Sequence, residues 1–420
     1  MAKPKIRFKG YQDDWEQRKL SEIADKVTEK NKDNEFDEPF TNSAEQGIIS
    51  QKDYFDRDIV NEENLGNYYI VRNNDFVYNP RISVTAPVGP INRNRLGRNG
   101  VMSPLYTVFR TKNIEPLYLE YYFKTTAWHR FMKLNGDSGA RFDRFTISSQ
   151  TFMEMPIPYP CIEEQAKVGQ YFDELEKLIT LHQRKCEEVR KLKKFMLQKM
   201  FPQNGSLVPK IRFGGFTDDW EQRKLGEVLV SLQNNTLSRA ELSSETGVAK
   251  NVHYGDVLIK FGEVLDVRKE SLPMISDESV LTKYKASFLQ NGDVIVADTA
   301  EDSTVGKCSE IAGLNDEVVL SGLHTIPYRP IEKFASGYLG YYLNSSAYHN
   351  QLIPLMQGIK VTSISKSVMQ NTDIVYPNSL KEQQKIGAYF STLDHLITLH
   401  QQKCTDLKNL KIYMLQNMFV

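Results

Sequence analysis

The sequence predicts an α+β protein: two mixed α/β domains joined by two long helices packed as an antiparallel coiled coil, with an internal pseudo-two-fold repeat. Two pairs of matching segments indicate this arrangement. Pro4–Leu20 and Pro209–Leu225 are identical at 14 of 17 positions, and Tyr171–Phe201 and Tyr389–Phe419 are identical at 18 of 31 positions. Repeats at a fixed order along a chain mark one structural unit that is written twice.

The repeats divide the 420 residues into four parts, which fits a chain longer than one typical domain of about 150 residues. We expect a first domain over 1–160 with the repeated segment 4–20, a first long helix over 161–202, a second domain over 203–378 with the repeated segment 209–225, and a second long helix over 379–420.

Each domain contains short runs of β-branched and aromatic residues flanked by Gly, Asn or Pro, a pattern that predicts strands. These runs are Asp75–Tyr78, Tyr106–Phe109, Asp256–Ile259 and Asp293–Val296. Later in each domain, Leu117–Lys133 and Gly337–Gln351 carry apolar and aromatic residues at helical spacing. We expect the tyrosines of these two segments to pack in the cores rather than to stack on a ligand.

The segment Glu163–Phe201 contains no proline, and its apolar positions recur in alternating steps of four and three residues. This spacing predicts a coiled-coil seam. A helix of this length extends about 60 Å, so it needs a partner helix, and the obvious partner is its own copy. Lys193 and Lys411 occur at seam positions, where we expect them to fix the register while their stems lie along the apolar surface.

Composition excludes several classes of protein. The chain has no run of about 18 apolar residues and no apolar N-terminal stretch, so we expect a cytoplasmic protein with no membrane partner. Its four cysteines are far apart and form no CxxC pair, which argues against a disulfide framework or a structural metal site. The net charge is zero, but residues 64–160 contain 12 basic and 6 acidic residues, so a basic surface remains possible.

Catalytic signatures are incomplete, and no catalytic or metal-binding residue is predicted. Gly306-Lys307-Cys308 lacks the upstream glycine and the following Ser or Thr of a phosphate-binding loop. Asn79-Pro80-Arg81 begins like the Asn-Pro-Pro-aromatic motif of adenine methyltransferases but has neither the second proline nor the aromatic residue. We therefore expect a chain that is not an enzyme on its own.

These residues give the chain a family resemblance. The duplicated opening runs from Asp14-Trp15-Glu16 to Leu20, with its copy from Asp219 to Leu225, and a proline-containing strand precedes the Glu-Gln start of each long helix at Met155–Val168 and Ile374–Ile386. In this order and in duplicate, the motifs resemble those of the specificity subunit of type I DNA restriction-modification enzymes. The resemblance covers nearly all of the chain.

The resemblance implies a non-catalytic subunit with two target-recognition domains, each reading one half of a bipartite asymmetric site in double-stranded DNA. The long helices would act as the spacer between the halves. Two modification subunits would methylate adenine, and two restriction subunits would translocate and cut DNA. S-adenosylmethionine, ATP and Mg are implied for those partner subunits, and no cofactor is expected in this chain.

The residues predicted to bind DNA are basic, hydroxyl-bearing or amide-bearing side chains in Gly- or Pro-containing loops, because phosphate contacts position a protein and base contacts specify its site. In the first domain they include the loop 138–144, where the family usually has a DNA-facing loop, and in the second domain the matching loop 357–363. The predicted residues are Tyr78, Arg81, Arg93, Arg95, Arg98, Arg141, Arg144, Thr304, Lys307, Lys360, Thr362 and Ser363.

Two other interpretations remain open at this stage. One is a structural coiled-coil adaptor with no role on DNA, which the divergence of the two domains within a constant frame disfavours. The other is a self-sufficient methyltransferase, which the missing cofactor loop disfavours.

Overall fold

A computed structural model describes residues 3–54, 62–137, 143–203 and 205–420. The chain divides into two compact units. Unit 1 consists of Met1–Gln183 and Gln402–Val420, and unit 2 consists of Arg184–Gln401. Because both boundaries fall within the long helices, each helix contributes one part to each unit.

The strands of unit 1 are short. They are β1 (Glu16–Lys19), β2 (Ala24–Lys26), β3 (Pro39–Ser43), β4 (Gly47–Ser50), β5 (Tyr69–Val71), β6 (Phe76–Tyr78), β7 (Ile91–Arg93), β8 (Gly100–Met102), β9 (Thr107–Thr111) and β10 (Pro156–Tyr159). The helices that begin here are α1 (Leu20–Ile23), α2 (Gln51–Tyr54), α3 (Pro116–Phe123), α4 (His129–Asn135), α5 (Ser149–Met153) and the first long helix α6 (Ile162–Lys199), with a 3-10 turn at Glu62–Asn67.

The strands of unit 1 form two four-stranded sheets, ordered β2-β9-β6-β7 and β4-β3-β8-β5. A separate antiparallel pair joins β1 to β10, with Arg18 opposite Ile157. The repeated opening segment is thus paired with the strand that leads into the first long helix. This pairing explains why the two ends of the domain are the parts that repeat most closely.

Unit 2 has the same order of elements with additional strands. Its strands are β11 (Glu221–Lys224), β12 (Leu229–Ser231), β13 (Ala249–Val252), β14 (Val264–Asp266), β15 (Met274–Ile275), β16 (Val294–Ala297), β17 (Thr299–Ala300), β18 (Cys308–Ala312), β19 (Val319–Ser321), β20 (Thr325–Pro330), β21 (Thr362–Ser363) and β22 (Asp373–Tyr376). Its helices are α7 (Leu225–Val228), α8 (Tyr254–Ile259), α9 (Glu278–Lys283), α10 (Tyr338–Asn344), α11 (Ser346–His349), α12 (Lys366–Gln370) and the second long helix α13 (Leu380–Met418). Three-residue 3-10 turns occur at Arg239–Glu241, Lys285–Ser287 and Ile353–Leu355.

The main sheet of unit 2 has the order β12-β20-β16-β18-β14 and is accompanied by a three-stranded sheet, β15-β13-β19. Two short pairs, β11-β22 and β17-β21, complete the unit. The pair β11-β22 matches β1-β10, with Arg223 opposite Ile374. The predicted fold class is confirmed: mixed α and β domains, an internal repeat, and long helices that pack together.

Two local expectations were wrong. Asp256–Ile259 is part of helix α8 rather than a strand, because the side chain of His253 accepts a hydrogen bond from Gly255 N and starts a helix that buries Val257. The expected helix over Leu117–Lys133 is divided into α3 and α4. The break follows Phe123, where Thr125 N bonds back to Tyr122 O at 3.0 Å.

The expectation that the tyrosines of these helices lie in the core is confirmed. Tyr118 and Tyr121 of α3 and Tyr338 and Tyr342 of α10 are each at most 2 % exposed. Tyr121 lies against Phe172 of the first long helix with ring centroids 5.2 Å apart. Aromatic side chains of this size contribute a large share of the buried apolar area, so they attach each domain to its part of the long helices.

A buried carboxylate in unit 1 fixes the repeated opening segment to the start of α6. The side chain of Glu164 is 0 % exposed and accepts two hydrogen bonds from the Arg7 guanidinium, at 2.7 and 2.8 Å. Trp15 Nε1 donates a third bond to the same carboxylate at 3.2 Å. A buried carboxylate is tolerated only when it is paired and hydrogen-bonded in this way.

The same three side-chain types recur in unit 2. Arg212 donates to Glu382 at 2.7 and 2.9 Å, and Trp220 Nε1 donates to Glu382 at 3.3 Å. The glutamate of the Glu-Gln pair at the start of each long helix therefore has a structural role, because it binds an arginine and a tryptophan of the repeated opening segment. We call the two sets together the frame clusters: Arg7, Trp15 and Glu164 in unit 1, and Arg212, Trp220 and Glu382 in unit 2.

Within unit 1 the two long helices pack antiparallel. Phe172 stacks on Phe419 with centroids 5.8 Å apart, and Lys411 pairs with Glu176 one turn farther along α6. Ile179, a further turn on, shares a buried cluster with Leu407. Successive contacts thus pair higher residue numbers in α6 with lower residue numbers on the α13 side, as an antiparallel arrangement requires.

Unit 2 shows the same direction of packing. Phe201 stacks on Phe390 at 5.9 Å, and Lys193 Nζ donates to Asp394 at 2.6 Å. Lys193 also pairs with Glu263 at 2.8 Å. The two seam lysines predicted from the heptad pattern therefore occupy corresponding places, each neutralised by a carboxylate of the facing helix.

Candidate nucleic-acid interface

The candidate site of unit 1 lies where the chain leaves strand β6. Arg81 forms an antiparallel β-bridge with Arg144. The bridge is supported by bonds from Phe145 N to Pro80 O at 2.7 Å and from Ile82 N to Asp143 O at 3.1 Å. The fold therefore brings together two of the predicted DNA-binding residues that are 63 positions apart in the sequence.

Two concave surfaces are associated with this bridge. The Lys26 concavity contains Arg144 and is lined by Lys26, Tyr69, Tyr78, Pro80, Pro104, Leu105, Tyr106, Thr107, Arg144, Phe145, Thr146, Ile147 and Ser149. The Asn42 concavity contains Arg81 and is lined by Thr41, Asn42, Ser43, Ala44, Glu45, Gln46, Tyr54, Asn79, Arg81, Ile82, Ser83, Thr85, Pro90 and Tyr106. Tyr106 belongs to both, so the two surfaces adjoin.

The charges of Arg81 and Arg144 are largely uncompensated. Arg81 is exposed, and no carboxylate of the described residues lies within 4.0 Å of its guanidinium. The Nε atom of Arg144 lies 3.7 Å from a carboxylate oxygen of Asp143, which is too long for a hydrogen bond. Both guanidinium groups thus retain donors for a ligand.

The other predicted arginines of unit 1 are engaged in ion pairs. Arg93 and Arg95 both donate to Glu120, at 2.7 and 2.8 Å, and Arg95 also reaches Asp173 at 2.9 Å. Arg98 donates twice to Glu38, at 2.7 and 2.8 Å, and this bond raises the pKa of Arg98. These contacts do not test whether any of the three binds DNA, but they reduce the charge that each offers to a ligand.

Tyr78 is 2 % exposed, and its hydroxyl donates to Val88 O at 2.9 Å. Burial raises the pKa of Tyr78 above its ordinary value. Its ring stacks on Phe152, so the side chain forms part of the wall of the Lys26 concavity rather than projecting from it. Arg141 and the rest of 138–142 lie outside the described residues, and the prediction for Arg141 stays a prediction.

In unit 2 the matching loop closes into a narrow turn. Gln357 and Ser363 exchange backbone hydrogen bonds at 2.9 and 2.8 Å. Gly358 has φ +123, and a Cβ there would meet Val361 O at 1.9 Å, so the turn requires glycine. Lys360 at the tip is exposed, and Thr362 and Ser363 form strand β21, which pairs with β17.

The two remaining predicted residues of unit 2 have local partners. The Thr304 hydroxyl and its backbone N both bond to Asp302. Lys307 is half-buried and donates to Leu258 O at 2.7 Å, and burial lowers its pKa.

Unit 2 has a concavity at the same point of the fold as the Lys26 concavity. The Gln233 concavity is lined by Ser231, Leu232, Gln233, Asn234, Asp298, Thr325, Ile326, Pro327, Ile364, Ser365 and Lys366. In each unit the lining comes from corresponding elements: β2 and β12, β9 and β20, and the segments around the start of α5 and α12. Ile364 N bonds to Asp298 O at 2.9 Å, as Phe145 N bonds to Pro80 O.

Sequence reasoning did not identify several of these lining residues. Lys26 and Tyr106 in unit 1, and Gln233, Asn234 and Asp298 in unit 2, belong to segments that do not match between the repeats. Tyr106 begins a run that the sequence predicts as a strand, but nothing in the sequence marks it or the other four as lining a site. Amide side chains are nonetheless suited to base edges, because they offer a donor and an acceptor together.

In the described ranges, no three His, Cys, Asp or Glu side chains come close enough to hold a metal ion. No helix in the described part of the chain has the length and hydropathy needed to cross a membrane.

The chain was compared with known proteins. The model of the type I restriction modification DNA specificity domain matches it twice, over residues 12–191 and 217–409. The MjaVIII specificity subunit of a type I restriction enzyme from Methanocaldococcus jannaschii is 26% identical over 324 residues, which cover 75% of this chain and 72% of that protein.

Solved structures are similar over almost the whole chain. The type I restriction-modification S subunit from M. genitalium matches with a TM-score of 0.55 and 11% identity over 100% of this chain and 99% of that one. The HsdS subunit from Thermoanaerobacter tengcongensis matches with a TM-score of 0.50 and 17% identity over 98% of both chains. At these identities the structures support the fold alone, whereas the two family-model matches, each lying on one copy of the repeat, establish that the chain belongs to the type I restriction-modification DNA specificity family.

Proposed function

We propose that this chain is the non-catalytic DNA-recognition subunit of a type I restriction-modification system, with each unit reading one half of a bipartite asymmetric site. One observation carries the proposal. The two units have the same frame clusters and a concavity at the same point of the fold, but they line that concavity with different side chains. A repeated scaffold with differing concave surfaces fits two readers of different sequences.

The distribution of charge supports DNA as the ligand. The surface around the Arg81–Arg144 bridge carries Lys26, Arg81 and Arg144, of which Lys26 bonds to Ser149 Oγ and the arginines have donors to spare. Cations attract the phosphate backbone, and hydroxyl and amide groups between them meet base edges. Of the predicted residues, we therefore expect Arg81, Arg144, Lys360, Thr362 and Ser363 to contribute most to binding.

The proposal includes partner subunits. Two modification subunits would supply S-adenosylmethionine-dependent adenine methylation, and two restriction subunits would supply ATP- and Mg-dependent translocation and cleavage, in the cytoplasm where the host DNA lies. The long helices offer surfaces for such partners, because Leu192, Phe195, Leu410, Ile412 and Tyr413 are each more than 40% exposed. Exposed apolar side chains that recur along a helix are typical of a protein interface.

The experiment is to co-express the full chain with candidate modification subunits in a host that lacks adenine methylation, and to map methylated adenines by sequencing. We expect a split asymmetric motif. Exchange of residues 21–160 for the same region of a related specificity subunit should replace one half of the motif and leave the other unchanged. If a stable complex forms but no motif is methylated, or if the exchange alters both halves, the assignment of one half-site to each unit is wrong.

Two binding measurements address the other interpretations. A structural adaptor would show no salt-dependent retention on duplex DNA, whereas we expect the affinity of the assembled complex to fall steeply as salt rises, because phosphate contacts release counterions. A self-sufficient methyltransferase would bind S-adenosylmethionine as the purified single chain. We expect no such binding until a modification subunit is added.

A further inference from the structure

We propose that Arg81 and Arg144 read guanine in the half-site recognised by unit 1, and that unit 2 reads its half-site at the corresponding position without arginine. The proposal rests on the proposed function and deepens it by naming the base and the residues. Arginine recognises guanine through two parallel hydrogen bonds to the O6 and N7 acceptors in the major groove.

The geometry places the two arginine side chains on the same face of a β-bridge. Residues directly opposite in an antiparallel pair have side chains on the same face, with Cβ atoms about 4.5 to 5.5 Å apart. Arg81 and Arg144 are opposite each other in their β-bridge, and they line the two adjoining concavities that share Tyr106. Like charges in this arrangement repel each other, so the pair is favourable only when an acceptor lies between or above them.

The other bridging and strand arginines of unit 1 show how the fold normally neutralises this charge. Arg110 donates to the buried Asp75 at 2.7 and 2.8 Å, and Arg72 pairs with Glu29 at 2.8 Å. Arg81 has no such carboxylate among the described residues, and Arg144 has only Asp143 at 3.7 Å. Among the predicted DNA-binding arginines of unit 1 that the structure describes, the arginines with unused donors are thus the two at the bridge.

A comparison of the units distinguishes base reading from phosphate binding. The phosphate backbone is the same in both half-sites, so a cation that binds phosphate is useful at both positions. At the equivalent place in unit 2, however, Thr299 lies opposite Ser363 and Ala300 lies opposite Thr362. A difference in side chains at an otherwise matching position is expected when the bases differ.

The surroundings in unit 2 point the same way. Asp298, which corresponds to Pro80, contributes a carboxylate to the Gln233 concavity. A carboxylate repels the O6 and N7 acceptors of guanine and accepts hydrogen bonds from the amino groups of cytosine or adenine. Lys366 lines the same concavity but follows the β21 strand on helix α12. The two units therefore present different side chains beside their equivalent strands, and the Asp298 carboxylate also accepts a bond from Thr299 Oγ1 at 2.7 Å.

The test uses the full chain assembled with its modification subunits and fluorescent duplexes that carry the mapped motif. Each guanine of the half-site that depends on residues 21–160 is replaced in turn by 7-deazaguanine, which lacks the N7 acceptor but keeps Watson–Crick pairing. We expect at least one replacement to weaken binding several-fold, below the upper limit of about 150-fold for a full bidentate contact, because the O6 acceptor remains. In the variant that lacks the arginine contacting this guanine, either Arg81→Ala or Arg144→Ala, the same replacement should weaken binding no further.

Conservative variants separate the two roles of an arginine. Arg81→Lys and Arg144→Lys keep the positive charge but lose the planar pair of donors, so phosphate binding survives and guanine discrimination does not. Arg130→Ala is the matched control, because Arg130 is an exposed arginine of unit 1 on α4 that lines neither concavity. We expect it to bind like the parent chain.

Several results would overturn the proposal. They are a half-site of unit 1 without guanine, equal 7-deazaguanine effects in parent and variants, or lysine variants that keep full guanine discrimination. If the exchange of residues 21–160 changes neither half of the motif, the proposed function itself fails. If one half changes but the arginine variants weaken all duplexes equally, only the guanine assignment fails.

Discussion

Unit 1 and unit 2 fill the same interior position in opposite ways. On β7, Arg93 lies opposite Phe76, whereas on β18, Glu310 lies opposite Val294 in the corresponding strand pair. Above them, Glu120 of α3 corresponds to Gly340 of α10 in the aligned helices. The strand position thus holds an arginine in unit 1 and a glutamate in unit 2, and the helix position holds a glutamate in unit 1 and a glycine in unit 2.

Each unit satisfies its buried charge differently. In unit 1, the Glu120 carboxylate accepts bonds from Arg93 and Arg95, and Lys124 lies 3.4 Å away. In unit 2, the Glu310 carboxylate accepts backbone bonds from Gly337 N at 2.6 Å and Gly340 N at 3.0 Å. A Cβ at position 340 would meet Glu263 O at 2.0 Å, so an acidic side chain does not fit there.

The difference teaches that these units share a frame but not a common core. The frame clusters use the same residues and nearly the same distances in both units, while the interior behind the candidate interface has exchanged its charge. The two units therefore combine matching frame clusters with different buried charges. The following predictions test how far that separation extends.

The largest effect is expected from the frame clusters. Arg7→Ala leaves the buried Glu164 carboxylate without its guanidinium, and Arg212→Ala does the same to Glu382. Loss of one partner of a buried ion pair costs about 3 to 5 kcal/mol. Because the contacts match, we expect equal losses in the free energy of opening of the two units, measured by hydrogen exchange. Arg18→Ala, in an exposed pair with Glu16, should change little, and unequal losses would contradict the equivalence of the frames.

Glu120→Gln should destabilise unit 1 by about 3 kcal/mol, because it leaves Arg93 without a negative partner. The side chain of Arg93 is only 10% exposed, so water cannot compensate for the lost ion pair. Segment-resolved hydrogen exchange should show faster exchange in β7 and α3 than in the parent chain. Exchange in unit 2 serves as the internal control. If β18 and α10 of unit 2 respond as strongly, the interiors are not independent.

Glu310→Gln should affect unit 2 in a pH-dependent manner. Burial raises the pKa of Glu310 from 4.5 to about 7. A carboxyl group with a raised folded-state pKa is protonated in the folded unit while it is ionised in the unfolded chain, so its contribution to stability falls as pH rises from about 4.5 to 7. The total loss is about 3 kcal/mol, at 1.36 kcal/mol per pKa unit over the shift from 4.5 to about 7.

Urea unfolding of the parent chain and of Glu310→Gln between pH 5 and pH 8 measures this contribution. We expect the difference in stability between the two chains to shift in favour of the glutamine variant as pH rises. A difference that is constant with pH would contradict ionisation of Glu310 in this range.

The smallest effects are expected at two helix caps. Ser148 Oγ accepts a bond from Thr151 N at 3.0 Å at the start of α5, and Ser365 Oγ accepts one from Val368 N at 3.3 Å at the start of α12. Loss of an N-cap hydroxyl costs about 1 kcal/mol. Ser148→Ala and Ser365→Ala should therefore have similar small effects in thermal unfolding, with the longer bond giving the smaller loss. A large effect of either would indicate a role beyond capping.

Much of the fold followed from the sequence because its signals are local. The heptad spacing from Val168 to Met200 predicted the long helix and its buried face, and the repeat identified the frame before any contact was known. The interpretation of Asp256–Ile259 as a strand was wrong because its branched residues outweighed the capping His253. Long-range pairing was beyond reach: Glu38 lies 60 residues from Arg98, and Glu120 lies 27 from Arg93.

The same limit applies to the candidate site. The sequence does not distinguish Arg81, Arg93 and Arg144. Only the contacts show that Arg93 is paired with a buried glutamate, whereas Arg81 and Arg144 lie opposite each other in a β-bridge. Side chains such as Gln233 and Asn234 carry no pattern of their own. The neighbourhood of a side chain, rather than its type, decides whether its donors remain available.

The division of the chain between the units also sets the order in which they are completed during synthesis. Unit 2 is one continuous stretch, whereas unit 1 needs Gln402–Val420, which leave the ribosome after unit 2. Until Lys411 and Phe419 are made, Phe172 and Glu176 have no partners from α13, and that face of α6 stays uncovered. Most of unit 1 is therefore translated before unit 2 but is completed after it, and a nascent chain stalled near residue 401 would expose an apolar helix face that invites aggregation or chaperone binding.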